Sequence, residues 1–448
     1  MGHEAAGAPA PHAAPEKGTT VVYRGATLVD GTGGPARPSM TIAVDGARIV
    51  LVAPDGEIPG TLLDGAETVD LRGRFVIPGL IDSHQHIATP PNRAPAEETL
   101  RRQVYGGVTA IRDMADDLRQ VGDLARATLV GEIPGPDIHY AALMAGPGFF
   151  DDPRTWQVSQ GETPGAVPWM QAVTEETDLP LAVAMARGTH ARAIKIYADL
   201  PASLVAAITA EAHRQGIAVW AHGTVFPSRP SEVVAAGVDS VSHITLLAYE
   251  GGAEPLNGYK DKPAIEYDRF AAGDDPALQA LFERMLEHRT VLDATAGLWE
   301  WIGAEAEDDG ERARARANSA LAARLTAHAH RAGVPISTGT DYETEPHHPF
   351  PALHDEMAFL AEHCGMSTAE VIRSATLVGA MSLGAETDMG TVESGKLANF
   401  VVLAEDPLAD LAHLRSIVLT VKRGRGFERT DYRPAGEPAG AEPKGCAG

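Results

Sequence analysis

The stretch "PASLVAAITAEAHRQGIAVWAHG", residues 201–223, changes its hydrophobic period half-way. Leu204, Ile208 and Ala212 recur at i, i+4 and i+8, which predicts one buried helix face; Gly216 supplies a stop, and "IAVWA" then reads as a buried strand. The same alternation of short apolar runs and amphipathic stretches continues from about residue 76 to residue 380. It predicts repeated β-α units around a parallel sheet. Eight strand ends are expected, at Ile81 to Ser83, Val108 to Asp113, Ile138 to Leu143, Ala193 to Tyr197, Ala218 to His222, Ser240 to His243, Val291 to Thr295, and Ile336 to Asp341. Eight such units make a (β/α)8 barrel, whose chemistry sits at the C-terminal ends of its strands.

Outside that region the period is two. "TTVVYRGATLVDG", "MTIAVDGARIVLVA" and "ETVDLRGRFVIPG" predict a small sheet over residues 19–75, and "GKLANFVVL" with "SIVLTVKRGR" returns to strand text near the other end. Late strands need a sheet to join. We therefore expect residues 19–75 and 385–425 to form one small β-sandwich domain interrupted by the barrel at 76–384. Ser367 and Glu370 predict a capping box just before the return. Residues 1–18 and 426–448 are rich in Pro, Gly, Ala and charge, and are read as flexible tails.

Composition narrows the function classes. The 448 residues carry 61 acidic and 37 basic side chains, a net charge of −24, which argues against nucleic acid and anionic membranes as partners. No run approaches the ~20 apolar residues of a membrane span, and no signal peptide is visible, so a cytoplasmic location is expected. The partner expected is a small-molecule substrate, with room for a homo-oligomer. Cys364 and Cys446 are the two cysteines, too few for a disulfide framework or a cysteine-ligated zinc. A metal here would need His, carboxylate or a modified Lys.

Those residues stand where the barrel would put them. His84 and His86 lie two apart at the end of the first strand, so their side chains share a face. Lys195 sits inside the apolar "AIKIYAD", where an ammonium is poorly solvated unless paired, modified or bound. His222, His243 and Asp341 close strands five, six and eight. Gln85 faces the opposite side and is given no metal role.

The set "HQH", "IKIYAD", "AHG", "GVDSVSH" and "GTD", between "VIPGLIDSH" and "GTVESGKLANFVVL", resembles the amidohydrolase superfamily, in particular its imidazolonepropionase-like and prolidase-like branch. The resemblance spans residues 20 to 425 and implies a distorted (β/α)8 TIM barrel with a β-sandwich from both termini. It also implies a divalent metal, zinc being the expected ion. His84, His86 and Asp341 would hold the more buried ion and His222 and His243 a second. A carboxylated Lys195 would bridge them; an unmodified Lys195 would leave one ion, as in deaminase branches. No residue is assigned to an organic cofactor.

The activity so implied is hydrolysis of a C–N bond, in an amide, dipeptide-like molecule, N-acyl amino acid or cyclic amide, by metal-activated hydroxide with Asp341 as general base and then acid. Alternatives are mononuclear deamination or ring hydrolysis, lyase or decarboxylase chemistry, and a non-catalytic homologue. Tyr197 is a candidate oxyanion donor, with packing an equal reading. Arg112 and Asp113 are expected to form an ion pair under the site. The segment from "AGPGFFDDPRTW" to Trp169 is expected to be a semi-rigid lid. Asn399, where an Asp is common, and "VSHI", lacking the Glu-His-Gly often seen at strand six, depart from close relatives; neither removes a metal ligand, but the second reshapes the surroundings of His243 and puts transfer of a prolidase substrate in doubt.

Overall fold

A computed structural model describes residues 20–434 except Gly273. The expected tail at 1–18 and most of the one at 426–448 lie outside the described residues.

The first strands are β1 (Thr20–Leu28), β2 (Arg37–Asp45), β3 (Arg48–Pro54), β4 (Glu67–Asp70) and β5 (Phe75–Pro78). The barrel region follows with β6 (Leu80–Gln85), β7 (Val108–Asp113), β8 (Asp137–Ala145), β9 (Ala166–Val167), β10 (Met170–Ala172), β11 (Ala193–Ile196), β12 (Ala218–His222), β13 (Ser240–Ser242), β14 (Val291–Asp293) and β15 (Ile336–Ser337). Last come β16 (Phe400–Leu403), β17 (Ile417–Lys422) and β18 (Arg425–Glu428).

Strands from both ends make one eight-stranded, mostly antiparallel sheet, ordered β18-β17-β16-β5-β1-β2-β3 with β4 also on β1. Its core joins the two chain ends directly: Tyr23 of β1 packs edge-on against Phe400 of β16, with Ile42, Val76 and Val421 in the same cluster. β5 belongs to this sheet, so residues 76–78 pair with it rather than with the barrel. Residues 426–434, expected in the tail, are also structured. Phe427 and Tyr432 bury against Tyr105, a contact concealed by the polar composition around them.

The eight expected barrel strands all form, in parallel order β6-β7-β8-β11-β12-β13-β14-β15. Closure is by two backbone bonds, Ser83 N–H to Thr338 O (2.8 Å) and Asp341 N–H to His84 O (2.9 Å). Helix Ala202–Arg214 buries Leu204, Val205, Ile208 and Ala212 on the face its period predicts, and Gly216 at φ +72° ends it. The Ser367–Glu370 capping box is present. Below the site, Arg112 stacks on Trp220, its guanidinium carbon 4.6 Å from the ring, and fills the barrel interior.

Candidate metal centre

Parallel register sets the height of the site, matching His222 with Ser242 and Ser242 with Asp293 on β12, β13 and β14. Past each of the later strands, one residue on from β13, two from β14 and four from β15, the chain then turns toward the site. His243, Thr295 and Asp341 do so in the left-handed region, at φ +71°, +43° and +61°, a conformation that side chains other than glycine hold only when surroundings enforce it.

Three imidazoles gather around Asp341. His84 Nε2 and His86 Nε2 each lie 3.5 Å from the same oxygen, Oδ1, and His243 Nδ1 lies 3.8 Å from Oδ2. Donor atoms of His84, His243 and Asp341 all fall within 4.8 Å of one another. The opposite nitrogens of the first pair are already engaged, His84 Nδ1 with Asp293 (2.6 Å) and His86 Nδ1 with Asp116 (3.0 Å). His243 Nδ1 meets Thr295 Oγ1 at 3.0 Å.

Two further candidates stand beside this group without joining it. Lys195 is 1% exposed, and its Nζ reaches Ser242 Oγ at 3.3 Å; among the described residues no carboxylate pairs with it. The His222 ring is 4.9 Å from that of His243, and its buried Nδ1 has no hydrogen-bond partner among the described residues. Tyr197 packs between Phe149 (4.3 Å between centroids, inclined by 32°) and His222 (3.9 Å, inclined by 53°).

Charge states follow from burial. Burial holds His84, His222 and His243 well below the ordinary histidine value, so their rings are neutral and have lone pairs to offer. It also lowers Lys195 to about 7 and raises Asp341 to about 6. His86 is only partly buried, and its hydrogen bond to Asp116 and the charges of Asp116 and Asp341 outweigh the desolvation and lift it to about 9.

This donor set fits a divalent ion. Ligand atoms at ~2.1 Å from a tetrahedral zinc stand roughly 3.4 Å apart, close to the two 3.5 Å imidazole–carboxylate separations. Imidazoles oriented by carboxylates on their far nitrogens are the usual second layer of such a centre. An orphaned nitrogen on His222 and an unpaired lysine are two more buried groups in want of a partner.

The sequence profile of the amidohydrolase family matches residues 75–426. The chain belongs to the amidohydrolase family. Imidazolonepropionase of Micrococcus luteus is 25% identical over 447 residues, covering 90% of this chain and 94% of its own. Ochratoxinase of Aspergillus niger is 25% identical over 477 residues, 95% and 90% of the two chains; a crystal structure of A. niger ochratoxinase aligns with a TM-score of 0.73 at 20% identity, covering 92% and 96%. A Xaa-Pro dipeptidase crystal structure with bound methionine gives 0.72 at 22%, covering 92% and 100%.

In this amidohydrolase Arg112 does not pair with Asp113, contrary to expectation. Neighbours on a strand face opposite ways. Arg112 points into the barrel and binds Asp293 (3.1 Å), while Asp113 accepts backbone N–H groups of Ile87 and Asp116. Asp293 and Asp116, which orient the two histidines, were not singled out from sequence. Asp293 ends the apolar "TVLDA" and carries the same signal as Lys195, a charge in a buried strand; Asp116 is hidden among the acids of "RDMADD". The lid folds back through β9 and β10 onto β8, and of its aromatics Phe149 reaches Tyr197 whereas Trp156 is 57% exposed. His354 is buried and bonds to the Gly106 carbonyl, away from the site. Among the described residues no helix is long and apolar enough to cross a membrane.

Proposed function

We propose that this amidohydrolase hydrolyses a C–N bond of a small molecule, an amide, a dipeptide or an N-acyl amino acid, with divalent metal held at the mouth of the barrel. The observation that carries the reading is the convergence of His84 and His86 on one oxygen of Asp341, each ring braced from behind by a carboxylate. In this reading His84, His86 and Asp341 would hold one ion and His222 and His243 a second, and a carboxylated Lys195 would serve both. Zinc as the ion and a cytoplasmic setting belong to the same proposal, as does a barrel unit that runs from the end of β5 to residue 384.

When bound, the metal would acidify water and polarise the scissile carbonyl. The rest falls to the chain. Water adds to the carbonyl carbon, the C–N bond breaks, and an acid and an amine leave. Asp341 takes the proton from water at its carboxylate and returns it to the departing nitrogen. Lys195, lowered to about 7, is partly the free amine whose lone pair attacks CO2, and conversion to a carbamate with release of a proton replaces a buried cation by an anion. Tyr197, packed against Phe149 and His222, would donate to the developing oxyanion or wall it on one side.

A mononuclear, deaminase-type site is the second reading, favoured by the tight grouping of His84, His243 and Asp341 apart from Lys195. Elemental analysis of metal per chain, joined to crystallography of Lys195, separates the two. Close to two ions and a carbamate are expected. One ion and a free amine would sink the dinuclear form.

A further inference from the structure

The segment following β13 carries Tyr259 to the mouth, where its ring is 6.2 Å from His222, inclined by 30°, and 5.8 Å from Tyr197. Phe149 and Phe226 complete an aromatic wall around it, at 5.9 and 6.1 Å. Lys262 lies on that wall. Its Nζ is 3.5 Å from the Tyr259 centroid and 5.7 Å from that of Phe226.

An aromatic face holds an ammonium without neutralising it, and leaves its donors free. Neighbouring cations are neutralised: Lys260 pairs with Asp151 at 3.7 Å, and Arg154 grips Asp152 at 2.7 Å. Among the described residues no carboxylate lies within ion-pair distance of Lys262. Lys262 is exposed, so in a chain with 61 acidic side chains it offers an open, unneutralised cation one ring removed from His222.

We propose that Lys262 binds a carboxylate of the substrate, with the Phe149–Tyr197–Tyr259–Phe226 wall taking an apolar group beside it. The substrate class is then an N-acyl amino acid or dipeptide with a free carboxylate, in preference to a neutral or cyclic amide. This rests on the C–N hydrolysis reading above.

The test compares matched probes, N-acetylphenylalanine and glycylphenylalanine, each as the free acid and as the carboxamide. The metal-loaded enzyme is expected to favour the acids roughly 10- to 100-fold in kcat/KM, the contribution of a charge-assisted hydrogen bond, mostly through KM. Lys262→Met brings that ratio toward one. Equal turnover of acid and carboxamide, or an unchanged ratio in the variant, overturns the proposal. So does an equal effect from Lys260→Met, which would indicate a diffuse field. Calorimetric titration with 3-phenylpropanoate reads the subsite without turnover. Binding weakened at least tenfold by Lys262→Met supports the subsite even if no probe is cleaved, in which case the hydrolysis reading is what fails; absent or equal binding overturns the subsite itself.

Discussion

Replacing Asp293 by Asn tests whether the centre is assembled from below. Asp293 is fully buried, and one of its oxygens, Oδ2, receives His84 Nδ1 at 2.6 Å, Ser242 Oγ at 2.9 Å and Arg112 Nη2 at 3.1 Å. The amide keeps the shape and removes the charge. Arg112 is then a buried guanidinium with no counter-ion, a loss of about 3–5 kcal/mol when one partner of a buried pair is removed. Burial pushes the Asp293 carboxyl above its ordinary range even beside Arg112, so the native pair is not fully compensated and the lower end, about 3 kcal/mol, is expected. At ~2–3 °C per kcal/mol for a large domain, calorimetry at fixed scan rate should show Tm falling by about 6–9 °C. The His84 ring also loses its brace, and competition with a chromophoric chelator should show metal affinity falling ~10- to 100-fold. Arg112→Met combined with Asp293→Asn should be less destabilised than the separate changes sum to, with a coupling of about 2 kcal/mol. A Tm within about 1 °C of the parent and unchanged metal affinity, or strict additivity, would refute this account of how the site is held.

Other outcomes follow from the same geometry. Asp341→Asn tolerates the left-handed backbone, so the protein should fold normally while kcat drops by about 100-fold or more; near-parental kcat would remove Asp341 as the proton carrier. Chelation should abolish activity and lower Tm, with added zinc restoring both; activity insensitive to exhaustive chelation contradicts the metal reading. Glu356 is buried against the Ala296 and Gly297 amides, and burial raises it to about 8. Because the folded state binds that proton more tightly than the unfolded, its contribution is complete below about pH 4.5 and is lost as pH rises through 8, by at most ~1.4 kcal/mol per pH unit. Denaturant titrations of the parent and Glu356→Gln should therefore diverge over that window, and parallel curves would show that Glu356 is ionised throughout.

The barrel was legible because each strand is an apolar run that ends on a polar residue, and eight such endings in order leave few alternatives. Four of the ligand candidates, His84, His86, His243 and Asp341, are drawn together because strand register transmits their height around the barrel. What the sequence concealed depends on contacts across the interior or around the mouth. Arg112 finds Asp293 from the opposite side of the barrel, a pairing no local period encodes. Tyr259 and Lys262 sit in a connection without periodicity, and Phe427 and Tyr432 dock from a stretch whose Pro and charge content suggests a tail.

The sheet that joins the chain's two ends has a consequence during synthesis. Ile77 on β5 pairs with Val401 on β16, so a ribosome must make the whole barrel before that edge is covered. At 5–20 residues per second the wait is on the order of tens of seconds. For that time a nascent strand rich in Val and Ile presents open backbone groups to any other chain nearby. Yield in cells should thus depend on translation speed and chaperone supply more than on the stability of the finished fold.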